Sequence, residues 1–353
     1  MMTHKLRTVL GDIDPSEMGQ TLPHEHIQGV CDVYWYPGDD PLADPDPAAA
    51  PRVDNLWHWK ENPVANKGNM HMTDEQVSID EMRILPDLGV RTVVNLTPIG
   101  MYRNAEGLRR ISQAANVNIV AGSTYYTAES HPSELKDMSE EQISQRIVDD
   151  ITTGMDGTDI RAGIVGEVGL SWPLDPVEEK VLAASVDAHR KTGAGLAIHN
   201  PYYAHGIGGL EPLRVIAERI SELGADMSRV IMGHTDGFAR DPGFIELVRD
   251  HGFVAELDMF GYQSGYEPEA DFMYPADGDR VEVILAMAQA GLADRLVLSH
   301  DVIFKTTLMR WGGHGFGYIH RVIVPWLKRK GLDDKVLEQI LETNCQNILP
   351  MAV

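Results

Sequence analysis

Eight times between residues 20 and 350, a short run rich in apolar or β-branched residues gives way to a longer segment of helical period. This alternation constrains the fold more than any other feature, because strands and helices in succession build parallel β/α units. The predicted strands are Thr21–Ile27, Arg91–Thr97, Asn118–Ser123, Gly163–Glu167, Leu196–His199, Arg229–His234, Phe253–Asp258 and Arg295–Asp301. Several read as continuous apolar runs, as expected when both faces of a sheet are covered. The predicted helices are Thr73–Leu88, Ala105–Ala115, Ser139–Thr152, Pro176–Thr192, Leu210–Leu223, Pro242–His251, Asp279–Ala290 and Asp333–Thr343. Thr73-Asp-Glu-Gln reads as a capping box, and Pro176 and Pro242 suit a first helical turn.

The strand ends decide between two architectures. Metal-type side chains close five of the runs: His24 and His26, Glu167, His199, His234 and Asp301. An open doubly wound sheet places ligands only near one switch point. Closure into a barrel brings the ends of strands one, four, five, six and eight to one centre at the C-terminal rim. The expected fold class is therefore α/β, a (β/α)8 TIM barrel, with residues 1–353 forming one metal-dependent hydrolase domain.

Side chains alternate along a strand, so His24 and His26 face one way while Glu25 faces the other. Two imidazoles at that spacing can bind one ion, and imidazole with carboxylate suits zinc and its first-row neighbours. His199 and His234, on adjacent strands, can bind a second. Glu167 lies between the two groups, where a carboxylate can bridge. Asp301 comes beside strand one on closure and can ligate the first ion. One strand-end histidine is ordinarily just a satisfied polar residue, and the chain has 14 histidines. Six metal-type residues on one rim point to a metal centre. Glu25 and His300 read as neighbours rather than ligands. The expected cofactors are two divalent metal ions, zinc first, with manganese, cobalt and iron also compatible. The reaction they imply is hydrolysis by a metal-bridging hydroxide. No G-x-S-x-G elbow offers a serine nucleophile instead.

Composition narrows the partners. With 53 acidic and 30 basic residues the formal charge is −23, which repels nucleic acid and anionic membrane surfaces. No run of about 18 apolar residues is present to span a membrane. Residues Met1–Arg7 lack an apolar core of signal-peptide length, and the two cysteines, Cys31 and Cys345, make no disulfide framework. A cytoplasmic protein acting on a small molecule is expected. Residues 31–72 break the alternation with six prolines and the aromatics Tyr34, Trp35, Tyr36, Trp57 and Trp59. Following strand one, this insertion lies on the rim of the site. It is either a flap that packs its own tryptophans or a lid and substrate wall.

Leu22-Pro-His-Glu-His26, Gly163-Ile-Val-Gly-Glu-Val-Gly169 and Ser299-His-Asp301 resemble the phosphotriesterase family of the amidohydrolase superfamily. Gly157-Thr-Asp-Ile-Arg-Ala-Gly163, Leu170-Ser-Trp-Pro-Leu174 and Leu308-Met-Arg-Trp-Gly-Gly-His-Gly315 are similar to its phosphotriesterase-related branch. The resemblance runs from about residue 8 to residue 349. It implies that His24, His26 and Asp301 hold the more buried ion, that His199 and His234 hold the other, and that Asp301 shuttles a proton. It also implies a homodimer. Phosphotriesterases proper bridge their ions with a carbamylated lysine, where this chain has Glu167, as the related branch does. The departure points toward a lactone or carboxylic ester as substrate. An N-acyl amino acid or other N-acyl compound, an activity known in that branch, is the alternative. Weak phosphotriesterase activity follows, and a non-catalytic metal-binding protein comes last, since it would not need Asp301 as a shuttle.

Tyr126, just beyond strand three, either donates a hydrogen bond to the developing oxyanion or packs under the insertion. Specificity is expected from rim loops. Arg310, Trp311 and His314 follow strand eight, with Lys305 nearer the strand and Trp172 after strand four. A cation there either holds a substrate anion or caps a helix at the surface. Asp258 and Tyr202 are further rim candidates.

Overall fold

The computed structural model describes residues 4–262, 266–267 and 271–352. Eight parallel strands form one sheet in chain order: β1 (Gln20–Glu25), β2 (Val90–Asn95), β3 (Asn118–Ser123), β4 (Ile164–Gly169), β5 (Gly195–His199), β6 (Val230–Met232), β7 (Val254–Leu257) and β8 (Leu296–Leu298). The helices between them are α1 (Glu75–Met82), α2 (Ala105–Ala115), α3 (Glu140–Thr152), α4 (Pro176–Thr192), α5 (Glu211–Glu222), α6 (Phe244–His251) and α7 (Asp277–Gln289). The strands curl into a nearly closed β/α barrel, as the alternation requires. Neighbours along each strand enter different cores. Val93, Ile119, Val165, Leu196 and Leu298 pack against the helices. Val94, Val120, Ile164, Ala197, Ile231, Val254 and Val297 fill the barrel.

The last gap in the barrel is closed differently from the rest. Among the described residues no ladder joins β1 to β8. The Asp301 N–H donates to His24 O at 3.2 Å, and the His24 N–H donates to Ser299 Oγ at 3.0 Å. Glu25 completes the seam. Its Oε1 accepts from Ser299 Oγ (2.9 Å) and the His300 N–H (3.1 Å), and lies 2.6 Å from His300 Nδ1; its Oε2 accepts from the Val302 N–H at 3.1 Å.

Local differences from the sequence expectation have physical reasons. Asp74, not Thr73, caps α1: its side chain accepts from the N–H groups of Gln76 and Val77, so no capping box forms. Pro176 opens α4 as expected, but Pro242 precedes α6, whose cap is Gly243. An antiparallel hairpin, His4–Thr8 with Gly11–Ile13, pairs with Met351–Ala352 below the barrel. After β8 a π turn, Ile319–Ile323, leads into the helix Val324–Arg329. A similar turn, Gln339–Thr343, interrupts the closing helical segment that begins at Asp334. No described helix is long and apolar enough to cross a membrane.

The 31–72 insertion packs onto the rim. Cys31 and Met70 from the insertion join Met101, Tyr126 and Phe304 in a buried cluster, with Tyr34, Trp35 and Val64 against it. Trp59 is buried, whereas Trp57 is 55% exposed. The insertion is thus neither self-contained nor wholly covered.

Candidate metal centre

The ends of β1, β4, β5, β6 and β8 bring all six predicted ligands together in the mouth of the barrel, every one buried. Glu167 stands at the centre. Its Oε1 lies 2.8 Å from His199 Nδ1, 3.2 Å from His234 Nε2 and 3.3 Å from His24 Nε2. Its Oε2 lies 3.7 Å from His26 Nε2. Asp301 Oδ1 lies 3.2 Å from His26 Nε2 and 3.7 Å from His24 Nε2. One carboxylate therefore faces both histidine pairs, and a second makes its short contacts with the β1 pair.

Two of these residues turn off their strands with backbone that favours glycine. His234 has φ of 54° and Asp301 φ of 50°. Left-handed backbone at an ordinary side chain costs about 1 kcal/mol or more and persists only where the surroundings fix it. Gly233 makes room for the turn: a Cβ there would lie 2.8 Å from Ile198 O and 3.2 Å from Asp258 Oδ2.

Outer groups hold the rings. His26 Nδ1 lies 3.0 Å from Thr97 Oγ1. Asp258 Oδ1 lies 2.9 Å from His234 Nδ1, and its Oδ2 accepts from the His234 N–H at 2.8 Å. His24 Nδ1 faces Asp258 Oδ2 at 3.0 Å and Glu256 Oε2 at 3.1 Å. Behind them, the Asp258 N–H donates to Asp236 at 2.9 Å, and the buried Arg280 pairs with Asp236 and with Asp277. Asp258, read from the sequence as a rim candidate, is fully buried support instead. Glu256, Thr97, Asp236 and Arg280 lie outside the set of site residues expected from the sequence. The signal for Glu256 was present: it stands two residues before Asp258 in an apolar strand, hence on the same inward face.

The residues fit metal ions. His24 Nε2, Glu167 Oε2 and Asp301 Oδ1 are buried and lack hydrogen-bond partners among the described residues. Such atoms are costly to bury unless something else meets them, and all three belong to the ligand set. Three of the rings present Nε2 inward while Nδ1 is held outside, the arrangement that orients imidazole toward a cation. The electrostatics agree. Burial pushes Glu167 toward its neutral form, but His24 and His199 outweigh it and hold the carboxyl well below its ordinary range. Burial likewise opposes charge on His24, yet Glu167 and Glu256 raise it well above the usual imidazole value. Burial, with His234 beside it, lowers His199. Burial raises Glu256 to about 7 against the pull of His24. Carboxylates packed this densely draw protons onto imidazoles, and divalent cations would displace them.

Tyr126 sits over this centre. Its hydroxyl lies 3.0 Å from His199 Nδ1 and 3.1 Å from Nε2, and it hydrogen-bonds to the Tyr34 hydroxyl of the insertion. Tyr202 stacks edge-on, 5.7 Å from His234 and 6.4 Å from His199 between ring centroids. The Tyr262 hydroxyl donates to Asp301 O at 2.9 Å.

The predicted substrate loop stands further out. Arg310 is exposed, its guanidinium 5.8 Å from the Trp311 ring, and Trp311 packs on the helix-side core. His314 stacks on His300 behind the seam, and burial pushes it down to about 4. Trp172 also packs on the helix-side core. Lys305 follows Phe304 of the apolar cluster; it is half-buried, and burial lowers its ammonium. Among the described residues, Arg310, Trp311, Trp172 and Lys305 make no hydrogen bond, ion pair or ring contact with the six ligands.

The model of the phosphotriesterase family matches residues 4–349. An N-acetyltaurine hydrolase from Xenopus tropicalis is 32% identical over 346 residues, 97% of each chain. A phosphotriesterase-related protein from Nematostella vectensis is 32% identical over 348 residues, 98% of each chain. The crystal structure of a resiniferatoxin-binding protein from Rhodobacter sphaeroides superposes with a TM-score of 0.90 at 32% identity, covering 98% of this chain and 94% of that one.

Proposed function

This chain belongs to the phosphotriesterase family and is a hydrolase, and from that premise we propose that it is a two-metal hydrolase of N-acyl amides. The carrying observation is Glu167, one carboxylate within 3.3 Å of rings from both histidine pairs. Similarity to N-acetyltaurine hydrolases at 32% identity supports placing N-acyl compounds ahead of the lactones and carboxylic esters that the sequence put first. Lactones and esters remain the second reading, because a glutamate bridge serves any carbonyl substrate equally.

His24, His26 and Asp301 would hold one ion, His199 and His234 the other, with Glu167 between them. When bound, the cations acidify water near neutral pH and polarise a carbonyl oxygen. Asp301 takes a proton of the attacking water as the water oxygen bonds to the carbonyl carbon. It returns that proton to the leaving nitrogen as the carbon–nitrogen bond breaks. Tyr126 donates its hydroxyl hydrogen to the oxygen on which charge develops. Tyr34 orients that hydroxyl, so the 31–72 insertion acts as cover and wall of the mouth. The chain works as one barrel unit on a small molecule.

Protein reconstituted with zinc tests the reading against matched N-acetyl amino acids, N-acetyltaurine and a lactone series. Turnover of N-acyl compounds above lactones is expected. Lactone turnover alone would reverse the order, and no carbonyl turnover at all would sink the proposal.

A further inference from the structure

The His24 ring meets two carboxylates with a single Nδ1 edge: Asp258 at 3.0 Å and Glu256 at 3.1 Å. Asp258 is shared. It also accepts from the His234 N–H and faces His234 Nδ1, so it supports both histidine pairs. Glu256 is different. Among the described residues the one hydrogen-bond partner of its side chain is His24, and its other oxygen, Oε1, is buried with none. It shares the inward face of β7 with Val254, beneath the ligands. A fully buried carboxylate so poorly satisfied costs the fold stability. The one group it serves is a ligand of the β1–β8 side.

We propose that Glu256 is a positioning residue that makes the two ion positions unequal, strengthening the one formed by His24, His26 and Asp301 while leaving that of His199 and His234 unaltered. A carboxylate behind a ligating imidazole fixes the ring and increases its basicity toward the ion. Glu256 adds a second such carboxylate to His24, and neither His26, backed by Thr97, nor His234, backed by Asp258 alone, has two. The ions therefore load in order, the β1–β8 position first. This inference rests on the two-ion reading above.

The test uses the full chain stripped by chelation and titrated with zinc against a chromophoric chelator, as wild type, Glu256→Gln and Glu256→Ala. Wild type should take two ions with separate constants. Both variants should weaken the tighter one by roughly 10–100-fold and move the looser one less than about twofold. The stripped variants should melt no lower than stripped wild type, which a merely structural role for Glu256 would not allow. In a His199→Ala background, Glu256→Gln should still weaken the remaining tight position. An unchanged tighter constant in both variants overturns the inference. So does parallel weakening of both constants with a lower melting point of the stripped protein. Wild type that binds fewer than two ions overturns the two-ion reading and this inference with it.

Discussion

β5 and β6 supply one half of the centre and β1 and β8 the other, yet the two pairs are joined by different means. Between β5 and β6 the backbone does the work: Leu196, Ala197 and Ile198 pair with Val230, Ile231 and Met232, and the Gly233 N–H donates to Ile198 O at 2.8 Å. Between β1 and β8 a carboxylate does it, with Glu25 gathering four donors that flank Asp301. A ladder fixes strand ends whatever the side chains are. A seam with one backbone bond among the described residues, from the Asp301 N–H to His24 O, leans for the rest on side chains, Glu25 first. Half of this centre is thus inherited from the fold, and half is written in the sequence.

The largest expected effect tests the chemistry on the seam side. Asp301→Asn should keep much of the metal and lose roughly two to four orders of magnitude in kcat, read on whichever carbonyl substrate turns over. Near-normal turnover would remove Asp301 as proton carrier. Next comes the seam itself. Glu25→Ala strands several buried donors and should destabilise the chain by about 3 kcal/mol or more in urea unfolding, since each buried orphan costs about 1–3 kcal/mol. Asn200→Ala on the ladder side, where Asn200 Nδ2 donates to Gly233 O at 2.8 Å, should cost only about 1 kcal/mol. Equal losses would erase the contrast between the halves.

Smaller effects sharpen it. Tyr126→Phe removes the hydroxyl that meets the developing charge and should lower kcat about tenfold, with metal content unchanged. An unchanged kcat would leave Tyr126 as packing under the insertion. The seam side also carries an acid sensitivity. Burial holds His314 and His320 down to about 4, while the unfolded chain protonates them near about 6.5. Their contribution is therefore present above about 6.5 and lost as pH falls toward 4. His320→Leu should flatten that part of the stability profile of stripped protein; a parallel profile would clear His320. Smallest of all, Arg310→Ala should change kcat/KM by less than about twofold, because the side chain is exposed and stacked on Trp311. A larger drop would put its guanidinium on the substrate.

Much of the barrel was legible because buried parallel strands are apolar without interruption and end at polar residues. Asn118–Ser123 and Ala105–Ala115 are bounded where their residues change character, and the ligands stand at such changes. What stayed hidden depends on distant partners. Arg280 and Asp236 lie 44 residues apart, and either alone reads as a surface charge. The hairpin at His4–Ile13 is too short and polar to announce itself, gaining its place from Met351 and Ala352 at the other end of the chain. The helix Val324–Arg329 carries Pro325 near its start. A π turn ahead of it leaves proline in the opening turn, where no N–H is needed. In the loop after β8, arginine beside tryptophan and glycines fits a surface as well as it fits a pocket.

The left-handed backbone at His234 and Asp301 also shapes how this enzyme could decay. At those two positions asparagine and glycine suit the chain better than alanine does. A lineage released from selection for catalysis would shed a ligand there at little cost to folding, whereas at His24 or His199, within strands and without left-handed backbone, no such cheap exit exists. Pseudoenzymes descended from this barrel should therefore carry their first scars at 234 and 301, as asparagine or glycine in an otherwise intact rim.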